Sequence, residues 1–262
     1  MSWSSGKDST YALRAVREDP DITVTRLLVT LNADADRVAM HAVRRALVEA
    51  QADRLGLPLH LVEIPSPCPN DIYESEMAGA IDTALREGVE TVVFGDLFLD
   101  DVRAYREQSL AGTGVRPVFP LWGRPTRQLA HEMIASGIRA ILTSVDPTKL
   151  PASFAGRPFD QRLLADLPPR VDPCGERGEF HTFVWDGPGF ARPIDVTTGD
   201  VVTRDGFVFC DVLPGPDPGQ PTAATGSTTD TSSRARRRAR ATSTGAPSTP
   251  TITALPTARN VS

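Results

Sequence analysis

The sequence predicts an α/β protein: a doubly wound parallel sheet, a smaller C-terminal α+β lobe and a disordered tail. Strand-like and helix-like segments alternate up to about residue 150, which is typical of parallel strands joined by right-handed crossover helices. Beyond about Pro151 the segments are shorter and rich in β structure. From about Pro214 the chain is mainly Pro, Gly, Ser, Thr and Ala, which cannot bury enough apolar surface to offset the entropy of ordering.

Each element follows from hydrophobic periodicity and from its terminating residue. Apolar residues at helical spacing predict helices, and short apolar runs rich in β-branched residues predict strands. Gly56 and Gly88 follow two of the helices as termination signals. The predicted elements are a helix at 11–17, a β-rich run at 22–31, a helix at 38–55, a strand at 59–64, a helix at 72–86, a strand at 91–94, helices at 102–108 and 126–136, a strand at 140–144, and β structure at 180–185 and 201–212.

Composition and charge narrow the class of protein. The 262 residues carry a net charge of −5, but six Arg and two Asp lie from Pro214 onward, so residues 1–213 carry −9. A folded part with this negative charge repels the phosphate backbone of a nucleic acid, so we expect no nucleic-acid partner. No apolar run reaches the roughly 20 residues of a membrane span, and no secretory signal opens the chain, so we expect a cytoplasmic protein with no membrane contact. The three cysteines, at wide spacing, predict neither a disulfide scaffold nor a zinc site.

A phosphate-binding loop is predicted where a strand should lead into the first helix. The candidate nucleotide-binding residues there are Ser4, Ser5, Gly6, Lys7, Asp8 and Ser9. Small residues allow the backbone to approach phosphate oxygens, the hydroxyls donate hydrogen bonds, and a surface-facing Lys7 would supply charge. The N–H groups at a helix start, with the helix dipole, also attract anions. This string is not a Walker A loop, which requires a different glycine spacing.

The residues 2–9, Ser-Trp-Ser-Ser-Gly-Lys-Asp-Ser, resemble the phosphate loop of the N-type ATP pyrophosphatases. Three further strings, at 40–44, 94–101 and 172–182, resemble the diphthine ammonia ligase family in order and separation, over roughly residues 2–213. The resemblance implies ATP as cofactor, with Mg²⁺ expected on chemical grounds, and an adenylated intermediate with release of pyrophosphate. Two departures are Ser5 at a position usually held by a second glycine, and a start so close to Trp3 that the central first strand is largely missing.

Two further groups of residues are candidates for the same site. Gly95 and Asp96 follow a predicted strand, where ligands of this fold class bind; Asp96 is alternatively a helix N-cap. Glu176 and Glu179 are acidic residues among glycines, suited to hold an ammonium group, an amine or a metal ion. The resemblance implies that their segment faces ATP. The candidate substrate residues are Arg103, Gly175, Glu176, Gly178, Glu179 and His181, and the catalytic candidates are Lys7, Asp8, Glu176 and Glu179.

The resemblance implies an ATP-dependent amide-forming ligase that acts on a small-molecule or protein-borne carboxylate with ammonia or an amine. We expect an ATP-binding domain at 1–150, a substrate-binding lobe at 151–213 and a basic disordered tail at 214–262, with Asp8 and Asp96 as candidate Mg²⁺ ligands. Two alternatives stay open: a sulfur-transferring enzyme that modifies tRNA, and a non-catalytic adenine-nucleotide-binding module. Cys174 and His41 are weaker candidates, since a lone thiol or histidine among apolar neighbours is more often structural.

Overall fold

The computed structural model describes residues 1–38 and 42–215 and confirms the predicted α/β class. His41 and residues 216–262, which include nearly all of the predicted tail, lie outside the described residues. The helices are α1 (Lys7–Arg17), α2 (Arg45–Leu55), α3 (Asn70–Arg86), α4 (Asp100–Leu110), α5 (Thr126–Ala135) and α6 (Gln161–Asp166). The strands are β1 (Leu27–Asn32), β2 (Arg37–Val38), β3 (Leu59–Ile64), β4 (Thr91–Val93), β5 (Arg116–Val118), β6 (Arg139–Val145), β7 (Phe180–Asp186), β8 (Val196–Arg204) and β9 (Phe207–Pro214).

Residues 1–3 join two parallel pieces of sheet. The strand β1 pairs in parallel with β3, and β4 pairs in parallel with β5. Between β1 and β4, the Ser2 N–H donates to the Val93 carbonyl at 2.9 Å and the Trp3 N–H donates to the Leu28 carbonyl at 2.8 Å. The parallel order is therefore β3-β1-(residues 1–3)-β4-β5, and a very short segment occupies the central position.

A cleft lies between β1 and β4 next to Met1. A cavity of about 500 Å³ lies there, and Arg26, His60 and Val92 are among its lining residues. The terminal ammonium of Met1 donates to the Arg26 carbonyl at 3.0 Å. Burial, with the nearby Arg26 charge, lowers the pKa of this ammonium to about 6. Residues 1–3 therefore lie at the central position of the sheet, with this cavity beside Met1.

The second sheet is antiparallel, in the order β7-β6-β9-β8. The strand predicted at 140–144 was expected in the parallel sheet, and that placement was wrong, because β6 pairs antiparallel with β7 and β9. Nearly all residues of β6 are buried or half-buried, and such a strand has the same sequence pattern in a parallel and in an antiparallel sheet. The β structure predicted at 201–212 is a hairpin that turns at Asp205 and Gly206, both with positive φ, as a two-residue hairpin turn requires.

The helix predicted at 38–55 is shorter than expected. It begins at Arg45, after Arg44 in an extended conformation and Ala42 at φ 54°, so residues 42–44 are not helical. Three short elements, β2, β5 and α6, were not predicted. Within the described ranges, no helix is both long and apolar enough to cross a membrane.

One hydrophobic core joins both sheets. Leu13 of α1, Leu47 of α2, Leu142 of β6 and Phe183 of β7 are fully buried in it. Because α1 begins at Lys7, within the predicted phosphate loop, packing of Leu13 and the other apolar residues of this helix in the core fixes the position of the loop.

Candidate active site

The predicted phosphate loop is a tight turn that ends at the start of α1. Gly6 is the N-cap of the helix, and Ser5 has a left-handed φ of 67°. The Ser4 and Ser9 hydroxyl oxygens lie 3.2 Å apart, and Ser9 Oγ donates to the Gly6 carbonyl at 3.0 Å. N–H groups in the first turn of a helix have no intrahelical acceptor. The geometry is thus that of an anion-binding helix start.

Two other chain segments contact this loop. The Lys7 N–H donates to Thr182 Oγ1 of β7 at 3.1 Å, and a Cβ on Gly6 would lie 3.2 Å from the Thr182 carbonyl oxygen. A Cβ on Gly95 would lie 3.0 Å from backbone atoms of Asp8 and Ser9. The structure therefore brings together the three segments that the sequence singled out: the loop at 4–9, the end of β4 and the segment 172–182.

Lys7 is buried, and the expectation that it faces the surface was wrong. Its side chain is 2% exposed, and its ammonium donates to Asp8 Oδ2 at 2.8 Å and to the Cys174 carbonyl. The rings of Phe180 and Phe159 lie 5.2 and 5.6 Å from Nζ. Burial lowers the pKa of Lys7, but the Asp8 charge and the other nearby acceptors outweigh it and hold this pKa above its usual value, so the group stays charged. Lys7 links the loop to the segment 172–182.

Glu176 places a carboxylate beside the loop and the end of β4. Its Oε1 accepts the Leu97 N–H at 2.7 Å. Burial is the main cause that raises the pKa of Glu176 to about 8, and the charges of Asp8 and Asp96 raise it further. A carboxyl group with such a pKa exchanges its proton near neutral pH, which suits a group that takes up or releases a proton.

Glu179 is held differently. It is 2% exposed, and its Oε1 accepts the Asp172 N–H at 3.0 Å, while Asp172 Oδ2 accepts the Glu176 N–H at 3.0 Å. Gly175 and Gly178 both have positive φ within this turn. Glu179 therefore shapes the turn that presents Glu176, although its buried Oε2 has no hydrogen-bond partner.

Comparison with known proteins identifies the family. The family model described as the diphthamide synthase N-terminal domain matches residues 1–117, and the one described as its C-terminal domain matches residues 125–212. A diphthine–ammonia ligase of Bos taurus is 35% identical over 230 residues, which cover 80% of this chain and 86% of that protein. One of Homo sapiens is 33% identical (68% and 73% covered), and one of Rattus norvegicus is 28% identical (80% and 86%).

The chain belongs to the diphthine–ammonia ligase family. The predicted family is thereby confirmed, and with it the prediction that the chain is an ATP-dependent carbon–nitrogen ligase. Both halves of the site lie within matched regions: the loop and Gly95 in the N-terminal domain, and the segment 172–182 in the C-terminal domain.

Other residues predicted for the site lie in varied surroundings. Asp96 is an ion-pair partner of Arg106, with 3.6 Å between Asp96 Oδ2 and Arg106 Nε, and it is not the N-cap of α4, because Leu99 is. His181 is partly buried, and desolvation, followed by the Lys7 and Lys149 charges, lowers its pKa to about 4, so its imidazole is neutral.

Arg103 lies against two aromatic rings. Its guanidinium carbon is 4.8 Å from the Trp122 ring centroid and 5.1 Å from that of Phe119, and its Nε donates to Glu107 at 2.8 Å. The structure thus brings Arg103 together with Trp122 and Phe119 and does not show it at the phosphate loop.

Sequence reasoning missed Thr182 as a loop contact, although it quoted the string that contains this residue, and it missed Gln51 entirely. Gln51 is fully buried on α2. The available signal was its position within an otherwise apolar helix face, formed by Leu47, Val48, Ala52 and Leu55. Polar residues therefore lie behind the phosphate loop of this chain as well as in it.

Proposed function

We propose that this chain binds ATP at the loop 4–9, transfers AMP to a substrate carboxylate and then forms an amide with ammonia or an amine. The observation that supports this most directly is the contact between the loop and the segment 172–182, where the Lys7 N–H meets Thr182 Oγ1 at 3.1 Å. This contact holds a phosphate-binding helix start beside the carboxylate of Glu176, so that two different chemical tasks share one site.

In the first half-reaction, a carboxylate oxygen of the substrate attacks the α-phosphorus of ATP. The bond between the α-phosphorus and the bridging oxygen breaks, and pyrophosphate leaves with that oxygen and its electron pair. The Gly6 N–H and the first-turn N–H groups of α1 other than that of Lys7, which donates to Thr182, would stabilise the pyrophosphate charge. Lys7 contributes a fixed positive charge from behind the loop, since its ammonium is enclosed by Asp8, Cys174 and two rings.

In the second half-reaction, the nitrogen of ammonia attacks the carbonyl carbon of the acyl adenylate, and AMP leaves. The reactive species is ammonia, which has one proton fewer than ammonium. Its nitrogen loses a second proton when the amide forms. We propose that the ionised form of Glu176 binds the ammonium and accepts one of these protons, because a group with a pKa of about 8 exchanges its proton near neutral pH, and that the second proton passes to water. Glu179 supports the turn from within, through its bond to the Asp172 N–H at 3.0 Å.

The donor set fits a Mg²⁺ ion held mainly by nucleotide phosphates. Asp8 Oδ1 and Asp96 Oδ2 are buried oxygens without a hydrogen-bond partner, and Mg²⁺ usually takes one or two carboxylates plus phosphate oxygens. No cluster of three acidic, histidine or cysteine ligands exists among the described residues, so a cage made of protein alone is absent there. Asp8 and Asp96 would hold the ion, which would neutralise phosphate charge.

The thiol chemistry of a sulfur-transferring enzyme is not favoured. Cys174 is buried, and desolvation raises the pKa of its thiol well above the usual value, so little thiolate forms at neutral pH. Its Sγ contacts the Thr126 carbonyl at 3.4 Å, which is an ordinary core contact. A non-catalytic nucleotide-binding module is the remaining alternative, and only turnover separates it from a ligase.

The names of the relatives point to the substrates. Several are diphthine–ammonia ligases, and by membership in their family we propose a protein-borne diphthine carboxylate or a chemically similar acid as the acceptor and ammonia as the nitrogen donor. The cytoplasmic location predicted from the sequence stays a prediction.

A nucleotide assay tests the proposal. The protein is incubated with ATP, MgCl₂ and ammonium chloride, with and without a diphthine-bearing protein or a panel of carboxylic acids, and the products are separated. We expect AMP and pyrophosphate in equal amounts, dependent on the acid, with amide formation dependent on ammonium. Formation of ADP and phosphate instead of AMP and pyrophosphate would contradict the proposal. ATP binding without AMP formation for any acid of the panel would also contradict it and would favour the non-catalytic binding module.

A further inference from the structure

We infer that Gln51 is the positioning residue of the phosphate loop: its side-chain amide holds the Ser5 carbonyl and thereby aims the Gly6 N–H at the anion. The inference rests on the proposed function, because it assigns Gln51 a task in ATP binding. Gln51 lies on α2, far along the chain from the loop, and its side chain is completely buried.

The partners of Gln51 fix the orientation of its amide group. Its Oε1 accepts the Trp3 indole N–H at 2.8 Å, and its Nε2 donates to the Ser5 carbonyl at 3.0 Å and to the Val184 carbonyl at 2.6 Å. An indole nitrogen can only donate and a carbonyl can only accept, so the amide has a single orientation that satisfies all three groups. Gln51 therefore joins residues 1–3, the loop and β7 at one point.

The Ser5 carbonyl is the part of the loop that this contact controls. Ser5 has a φ of 67°, a left-handed conformation that an L-residue with a Cβ disfavours, and it is fully buried. Two donors, the Gln51 amide and the Val184 N–H at 3.0 Å, converge on its carbonyl oxygen. These two hydrogen bonds stabilise a backbone conformation that serine alone would leave.

The direction of the Gly6 N–H follows from that of the Ser5 carbonyl. In a planar trans peptide the C=O and the following N–H point in opposite directions. With the Ser5 oxygen held towards α2 and β7, the Gly6 N–H points to the other side of the peptide, where Ser4 Oγ lies 3.4 Å from the nitrogen. This distance is long for a hydrogen bond, so the N–H remains available to a phosphate oxygen.

The test combines Gln51→Met with Ser5→Gly. Methionine has nearly the shape of glutamine but replaces none of its three hydrogen bonds, and we expect ATP affinity to fall about tenfold or more, the scale of the one hydrogen bond that orients the Ser5 carbonyl. Glycine adopts positive φ freely. If Gln51 acts by holding Ser5 in that conformation, adding Ser5→Gly to Gln51→Met should recover most of the lost ATP affinity. The double variant is compared with Ser5→Gly alone, which shows what the glycine does when Gln51 is present.

Leu47→Ala is the matched control, because Leu47 is equally buried on the same helix and has its place in the hydrophobic core. We expect it to lower the unfolding temperature while ATP affinity stays within a few fold. The Gly6 amide resonance, measured by NMR without nucleotide, gives a second readout that is independent of the proposed function. It should shift and broaden in Gln51→Met and return in the double variant.

The outcomes separate the two proposals. A parent that binds no ATP would contradict the proposed function, and the Gly6 resonance would still decide the role of Gln51. An unchanged Gly6 resonance in Gln51→Met, or a double variant no better than Gln51→Met alone, would overturn the inference. An equal loss of ATP affinity in Leu47→Ala would also overturn the inference, since it would show that Gln51 affects ATP binding only through packing of the core.

Discussion

At the scale of single residues, the two lysines of the chain differ in their surroundings. The ammonium of Lys7 is enclosed, with Asp8 at 2.8 Å, whereas the Lys149 side chain is 44% exposed and its ammonium pairs with Asp146 at 3.0 Å. An enclosed charge stabilises the fold only together with its partner, because removal of one member leaves the other buried and unpaired. The Lys149 ammonium is partly solvated, and Asp146, whose side chain is 12% exposed, also accepts hydrogen bonds from the N–H and the hydroxyl of Thr148, so we expect loss of this pair to cost less.

Lys7→Ala is therefore expected to lower the free energy of unfolding by about 3–5 kcal/mol, the cost of breaking a buried pair. Lys149→Ala, the matched control, should cost less than about 1 kcal/mol. Urea unfolding followed by circular dichroism measures both. Equal stability of Lys7→Ala and the parent would show that Asp8 and the Cys174 carbonyl do not depend on this ammonium.

Glu176 should make stability depend on pH in an unusual direction. Its pKa rises from the ordinary 4.5 to about 8 on folding, so the folded protein holds the proton more tightly. Its contribution is fully present below pH 4.5 and is lost as the pH rises through about 8, by at most about 1.4 kcal/mol per pH unit. In Glu176→Gln this slope should be missing from unfolding free energies measured between pH 5 and 8. Parallel curves for the parent and the variant would contradict the raised pKa.

At the scale of elements, the end of β4 is packed directly against the start of α1. A Cβ on Gly95 would meet backbone atoms of Asp8 and Ser9 at 3.0 Å, and backbone atoms cannot rotate away as a side chain can. Gly95→Ala should therefore displace the loop and raise the dissociation constant for ATP about tenfold. Calorimetric titration with ATP measures this effect.

Gly79 supplies the control for that experiment. It lies within α3, and nothing approaches within 4 Å of its would-be Cβ. Gly79→Ala should leave ATP affinity unchanged and stabilise the protein by roughly 0.5–1 kcal/mol, since alanine is the better residue within a helix. If Gly95→Ala binds ATP as Gly79→Ala does, then β4 and α1 are not coupled in the way that the packing indicates.

A charged link connects the two sheets at β9. Asp211 accepts from Arg37 at 2.8 Å and pairs with Arg44, which precedes α2. Burial alone would raise the pKa of Asp211, but the hydrogen bonds from Arg44 and Arg37 outweigh it and lower this pKa to about 2. The segment that leads into α2 is thereby tied to the antiparallel sheet.

The resulting stability should be present above pH 3.8, the ordinary pKa, and lost as the pH falls through about 2. Because the carboxylate is partly exposed, we expect roughly 1–2 kcal/mol in total. The difference in unfolding free energy between the parent and Asp211→Asn, measured from pH 5 to pH 2, isolates this residue from other carboxylates. A difference that does not change with pH would rule out the link as a source of acid sensitivity.

At the scale of the whole molecule, the sequence predicted local elements well and their pairing less well. The helix that begins at Asn70 and the strand β3 follow from periodicity that extends over few residues. The antiparallel pairing of β6 depends on strands that lie some 40 and 65 residues away, and a buried run carries no mark of its partner's direction. Local patterns therefore define elements, whereas sheet membership is a long-range property.

The same distinction applies to the candidate site. The loop and the segment 172–182 could be found as strings, but the contact between Lys7 and Thr182 joins residues 175 positions apart. Burial of Lys7 was missed because residue type suggested a solvated charge, while the partners that permit burial come from distant segments. Gln51 was missed for a related reason: its three partners belong to three different elements.

The buried Met1 ammonium has a practical consequence for purification handles. An affinity tag fused directly in front of Met1 would replace the ammonium by a peptide group and would send its last residues along the 500 Å³ cavity between β1 and β4. A handle that ends in apolar, β-branched residues should raise the melting temperature by several degrees over one that ends in Gly and Ser, as differential scanning calorimetry would show. If the last residues of such a handle pair with β1 and β4, melting temperatures from differently tagged preparations of this protein are not interchangeable.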